Sequence, residues 1–234
     1  MRMNKVFFMK RLCYILLIGV FLASCNLSLT NFRMTNTSML PTISVGSVVK
    51  ITKQVDSLDY GDIVVFYFDG KVNDGASEEV WKSEKKTGTE KIFEIQGVIV
   101  SRIVGLPGDS IAVEKEFCTI NGKKNKYRLI QKGISNEDVE DFLRNLVAEY
   151  EEQLPNKKII HIYRFEISSK DIKEYMGTFD DKQMYKDMET IKIPDNQYFM
   201  MGDFRDNKYD SRYIGAIPRE QIMGKVIKIK QKQK

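Results

Sequence analysis

Six consecutive residues, Ile63-Val64-Val65-Phe66-Tyr67-Phe68, are all β-branched or aromatic. Such a run loses side-chain freedom in a helix and reads as a strand. Gly61-Asp62 supplies the turn before it. The same grammar recurs along the chain, with strand signals at Val48-Val49-Lys50-Ile51, over 93–104 and from Ser110 to Val113. The last two are separated by Gly105-Leu106-Pro107-Gly108-Asp109, where Pro-Gly fits a type II turn. Strand signals return at 198–201 and 226–229, while 71–91 is polar and rich in Lys and Glu, as expected of a surface loop or hairpin extension.

The segment 114–195 reads as an insertion. Within it Val139, Phe142, Leu143, Leu146, Val147, Tyr150 and Leu154 fall at helical spacing. Ser135 and Asp138 are placed as a capping box and Pro155 as a stop, so the spacing predicts an amphipathic helix. Residues 159–167 alternate like a strand, and a short helix is expected over 172–176. No internal repeat is present. The predicted fold class is mainly β with a small α+β insertion.

The first 25 residues have the form of a targeting segment. Arg2, Lys5, Lys10 and Arg11 precede an apolar run at 12–23. Twelve helical residues cover roughly 18 Å, short of a bilayer core of about 30 Å. A signal-peptide core fits that length better than a full membrane span. The run ends Leu22-Ala23-Ser24-Cys25, which resembles the bacterial lipobox. That resemblance implies cleavage before Cys25 and acylation of its thiol, giving a firm lipid anchor. The other reading is an uncleaved anchor, lengthened through 26–32 by tilt. Either places the domain at a membrane surface on the exported side of the cell envelope.

Charge and scarce ligands narrow the chemistry. The chain has 37 Lys plus Arg against 32 Asp plus Glu, and four of the basic residues lie in the targeting segment. The body is therefore close to neutral, which argues against a nucleic-acid binder. One His and three Cys are too few for a zinc site or a disulfide framework. Cys118, beside Ile111, Val113 and Ile120, reads as a small buried hydrophobe. No metal or organic cofactor is expected. A Ser-His-Asp triad would rest on His161 alone, which lies in the insertion and reads as a strand or surface residue.

Four blocks remain, in this order: Asn36-Thr37-Ser38-Met39-Leu40-Pro41-Thr42, Gly61-Asp62-Ile63-Val64-Val65-Phe66, Arg102-Ile103-Val104-Gly105-Leu106-Pro107-Gly108-Asp109, and Gly202-Asp203-Phe204-Arg205-Asp206-Asn207-Lys208-Tyr209-Asp210-Ser211-Arg212. Together they closely resemble the boxes of bacterial type I signal peptidases, membrane-bound Ser-Lys endopeptidases. The resemblance implies a β catalytic domain shared with LexA-type repressors. It runs over 36–113 and 196–230, after a signal peptide at 1–24 and a membrane-proximal linker at 25–35, with 114–195 inserted. It puts the nucleophile on Ser38. It also implies oxyanion donors at the Ser38 backbone N–H and at Asn36, apolar substrate pockets at Phe32, Met34 and Val100, and a supporting pair at Asp210 and Arg212.

The chain departs from that family at the base. The family's catalytic Lys stands immediately before the Arg of the third block, and here that position is Ser101. The family's Ser after the Asn of the last block is here Lys208. The two residues have changed places, so Lys208 is the candidate relocated base, oriented by Ser101. The alternative is a catalytically inactive lipoprotein that binds peptides without cleaving them. Self-cleavage of the repressor kind is weaker, because no Ala-Gly or Cys-Gly cleavage pair of that kind stands out. The expected partners are signal peptides of exported precursors and membrane lipid, and the expected state is a monomer.

Overall fold

The computed structural model describes residues 30–69, 96–166, 187–206 and 210–232. A seven-stranded antiparallel sheet forms the body, in the order β1-β2-β14-β3-β4-β12-β13. Its strands are β1 (Thr30–Arg33), β2 (Val48–Thr52), β3 (Ile63–Asp69), β4 (Gln96–Gly105), β12 (Gln197–Met201), β13 (Ile217–Pro218) and β14 (Ile222–Lys230). A four-stranded sheet, β11-β5-β6-β7, joins β5 (Ser110–Glu114), β6 (Phe117–Ile120), β7 (Lys123–Lys124) and β11 (Met188–Lys192). A three-stranded sheet, β10-β9-β8, joins β8 (Lys126–Lys132), β9 (Val147–Gln153) and β10 (Ile159–Phe165). The described helices are one-turn pieces, α1 (Asp141–Arg144) and α2 (Ser211–Ile214). The expected mainly β class holds, and none of the described helices is long and apolar enough to cross a membrane.

The helix expected from Val139 to Leu154 is not formed. Only α1 is helical there, and β9 runs as the central strand of its sheet. It pairs β10 in unbroken register from Val147↔Phe165 to Gln153↔Ile159, and β8 on its other edge. Apolar side chains at 146, 147, 150 and 154 suit either period, and pairing on both edges decides for the strand. The capping box also fails. The Asp138 carboxylate accepts from the Val45 N–H at 2.8 Å, and the N-cap of α1 is Glu140, without a side-chain cap. The linker reading of 25–35 changes too, because Thr30–Arg33 pairs with β2 as an edge strand. Residues 71–91, the helix over 172–176 and the segment holding Cys25 lie outside the described residues.

Alternation along β3 and β4 sends side chains into two cores. Val64, Phe66 and Ile103 pack with Leu58, Met200, Ile214 and Ile217 on one face. Val65 and Val100 pack with Met34, Met39, Ile43 and Val49 on the other. A third cluster is continuous between the inserted sheets and the body. Ile111, Cys118 and Ile162 meet Val104, Phe199 and Met201 there. The Cys118 thiol is fully buried, and burial pushes it up to about 12. It is a packing residue in the described structure.

Gly224 marks where β14 crosses closest to β2. A Cβ there would lie 2.4 Å from the Thr52 carbonyl oxygen and 2.8 Å from an Ile51 methyl. We expect Gly224→Ala to lower the unfolding free energy by about 1–3 kcal/mol, as overpacking does. Urea unfolding measures it, and a wild-type midpoint would contradict this reading of the crossing.

Candidate active site

Ser38 sits on a turn whose next two residues are anchored in opposite directions. Met39 enters the cluster with Val65 and Val100. Leu40 enters a different cluster with Val147, Tyr163 and Phe204, against the inserted sheet. Both are fully buried, while Ser38 itself is only half-buried. The chain therefore grips the apolar neighbours and leaves the hydroxyl at the surface.

The segment after β12 closes on this turn from behind. The Phe204 N–H donates to the Ser38 carbonyl at 3.0 Å. At Gly202 a Cβ would lie 2.7 Å from that same carbonyl oxygen, so only glycine permits the approach. The Ser38 Oγ–H donates to Asn36 Oδ1 at 2.7 Å, and the Ser38 N–H donates to the same atom at 3.1 Å. Asn36 thus presents an acceptor to Ser38 here, not the donor expected from sequence. An oxyanion role requires the amide to turn over and release the Ser38 N–H.

One ion pair joins the four sequence blocks. Arg102 donates through Nε to Asp203 Oδ1 at 2.7 Å and through Nη2 to Oδ2 at 2.6 Å. Its Nη1 donates to the Gly61 carbonyl at 2.8 Å, and Nη2 also reaches Thr42 Oγ1 at 3.1 Å. The Thr42 hydroxyl in turn donates to Asp203 Oδ2. Asp203 is fully buried and Arg102 nearly so. Every lone pair used is met by a donor, the condition under which a buried pair is tolerated.

A second pair supports the same segment. Asp210 accepts from Arg212 Nε at 2.8 Å and Nη2 at 2.6 Å, and from the Gly202 N–H at 3.1 Å. It also caps α2 through the Arg212 N–H. Arg212 is bound on its far side by Glu116. Both expected supporting residues are thus in contact, and Asp210 touches the chain that backs Ser38.

The other predicted residues divide by face. Phe32, Met34 and Val100 come together in one cluster with Met39, next to Ser38. Ser101 points to the opposite face of β4 from Val100, on the side of Ile99 and Ile103. It is 1% exposed, and among the described residues its hydroxyl has no hydrogen-bond partner. The structure does not bring it into hydrogen-bond contact with Ser38. Lys208 lies outside the described residues. His161 is on β10 with its ring bonded to Glu149 at 2.7 Å, and it takes no part in the site. Asp109 accepts from the Leu106 N–H and Asn121, as a turn residue does.

Arg102, Asp203, Thr42 and Gly202 were inside the quoted blocks, yet sequence reasoning gave them no role. Opposite charges at two strand ends were the available signal. The open edge of β4 was also missed. Gln96 to Ser101 pair only with β3 among the described residues, because β12 ends at Met201 opposite Arg102.

The chain is similar to known proteins over most of its length. The family described as "Signal peptidase, peptidase S26" matches residues 7–229. A signal peptidase I of Buchnera aphidicola from Acyrthosiphon pisum is 25% identical over 97% of this chain and 76% of its own length. Another, of Buchnera aphidicola from Schizaphis graminum, is 28% identical over 85% of this chain, which spans 66% of that relative. A crystal structure of a signal peptidase I from Enterococcus faecalis aligns with a TM-score of 0.35 and 16% identity over 74% of this chain and 99% of its own.

Two outcomes are expected. Asp203→Ala should cost about 3–5 kcal/mol, because it strands a buried guanidinium; denaturant unfolding reads this, and a loss below about 1 kcal/mol would contradict it. Burial pushes the Asp206 carboxyl up to about 7, against the Phe165 N–H and the Arg164 charge that favour its ionised form. The folded state then holds a proton that the unfolded chain releases at about 3.9, so stability should fall as pH rises from about 4 to 7. Asp206→Asn should flatten that part of the pH–stability curve, and an unaltered slope would contradict the assignment.

Proposed function

The chain belongs to the peptidase S26 signal peptidase family, and from that membership we propose that it is a serine endopeptidase of the signal peptidase I type. The observation that carries this reading is the placement of Ser38. A half-exposed hydroxyl stands beside the Phe32, Met34 and Val100 cluster, on a turn held by the last block. An extended substrate would add to the free edge of β4, since an unpaired edge is a template for another strand. Small side chains before the scissile bond would enter the apolar cluster.

The chemistry is acyl transfer. Lys208, as a neutral amine, would take the Ser38 Oγ proton while Oγ bonds the scissile carbonyl carbon. The tetrahedral oxyanion would be met by the Ser38 N–H and by the Asn36 amide after it turns. Collapse breaks the C–N bond, and the proton passes to the leaving amine. Water then attacks the ester, its proton moves through the lysine to Ser38, and the acid product leaves. Ser101, whose buried hydroxyl has no partner among the described residues, would accept from the lysine amine. The enzyme would be held at the exported face of a membrane through Cys25 or an uncleaved anchor, with signal peptides of exported precursors as substrates.

The same orphaned hydroxyl favours a second reading, a peptide-binding protein that has lost its base. A cleavage assay on a signal-peptide substrate in liposomes separates the two. Loss of about 10³-fold or more in kcat/KM is expected in both Ser38→Ala and Lys208→Ala. No turnover by the wild type, with peptide binding kept and turnover gained in Ser101→Lys, would establish the silent protein.

A further inference from the structure

The inserted sheet reaches the Ser38 turn through a chain of buried contacts that starts at Glu152. This central-strand residue and Arg205 are both fully buried, and Arg205 Nη2 donates to Glu152 Oε2 at 2.5 Å. The other carboxylate oxygen accepts from Asn125 Nδ2 and from the Tyr127 hydroxyl, each at 2.7 Å. Glu152 therefore holds one guanidinium and is itself fixed from two sides. Arg205 Nη1 rests on the Met201 and Cys118 sulfurs, so among the described residues Glu152 is the charged group to which this guanidinium donates.

The backbone around Arg205 is gripped by the same sheet. The Arg205 N–H donates to the Tyr163 carbonyl at 2.8 Å, and the Tyr163 N–H donates to the Asp203 carbonyl at 2.9 Å. Residue 204 lies between these two bonds. Its ring packs edge-on to Tyr163 and tilted against Phe165, with centroids 6.0 and 5.6 Å away. Its N–H is the donor to the Ser38 carbonyl, and its ring shares a cluster with Leu40. The segment 203–205 thus bridges β10 in parallel at Tyr163↔Phe204, and the Phe204 N–H between the two bonds is aimed at the nucleophile turn.

We propose that the Glu152–Arg205 pair is a positioning device for Ser38, by which the inserted sheet sets the height and angle of the nucleophile turn through the Phe204 N–H. The insertion is then part of the catalytic apparatus and not an appended surface module. This rests on the reading of Ser38 as the nucleophile. The physical logic is that a buried pair fixes direction where an apolar contact fixes only distance. Misplacing a reacting atom by about 1 Å costs on the order of 100-fold in rate.

The test is the double variant Glu152→Met/Arg205→Met, with Glu152→Gln beside it. Replacing both charges by apolar groups of similar size keeps such a core folded. The expected result for the double variant is a folded protein with a somewhat lowered thermal midpoint, because the Asn125 amide and the Tyr127 hydroxyl lose their acceptor, with KM unchanged and kcat down about 10–100-fold. Hydrogen exchange at the Phe204 amide should rise about tenfold, while protection at Val65 in β3 stays as in wild type. Glu152→Gln keeps the shape and the Tyr127 contact and should show the same two changes at smaller size. Wild-type kcat and wild-type Phe204 exchange in a folded double variant would overturn the proposal. If wild type itself does not cleave, the peptidase reading fails, and the Phe204 exchange alone still decides whether the pair positions the turn. If the double variant does not fold, Glu152→Gln carries the decision by the same two readouts.

Discussion

The buried bidentate pair between Arg102 and Asp203 holds together parts of the chain that sequence keeps far apart. Its partners are the Gly61 carbonyl before β3, Thr42 after the Ser38 turn, and the strand end that backs Ser38. Taking two such charges out of water is expensive, and the cost is offset only when the remaining donors and acceptors are satisfied. Here they are, and the geometry is the parallel two-bond fork that guanidinium and carboxylate make best. The close approach at Gly202 depends on this arrangement. So does the aim of the Phe204 N–H.

Around that pair the structure is built from short antiparallel strands whose two faces bury different cores. One face carries Val100, Met34 and Met39 and offers an apolar floor next to Ser38. The opposite face receives Ser101, whose hydroxyl has no partner among the described residues. Proteins keep such a group where function asks for it, or where a former function has left it. The three- and four-stranded sheets add a third core and a further buried pair, Glu152–Arg205, so the segment 202–206 is clamped from both sides.

Much of the body was legible because its signals are local. The β-branched run at 63–68 and the Gly-Asp turns need no distant partner to be read. The four blocks were readable as a resemblance, and the structure places their residues in contact through Arg102 and Asp203. The helix expected over 139–154 failed for the opposite reason. Val147, Tyr150 and Leu154 fit two periods, and only pairing with β8 and β10, which are remote signals, selects the strand. The Glu152–Arg205 contact was hidden likewise. Glu152 stands in a run with Glu149 and Glu151 that looks like a solvated face, and its partner is 53 residues away.

The proposed reaction requires that Ser38 form a covalent ester with the substrate's acyl portion. Acid-quenched mass spectrometry of the protein with a signal-peptide substrate, followed by mapping of the adduct, tests it directly. An acyl mass is expected on the fragment containing Ser38, absent in Ser38→Ala. Cleavage without that adduct, or an adduct on another residue, would contradict it.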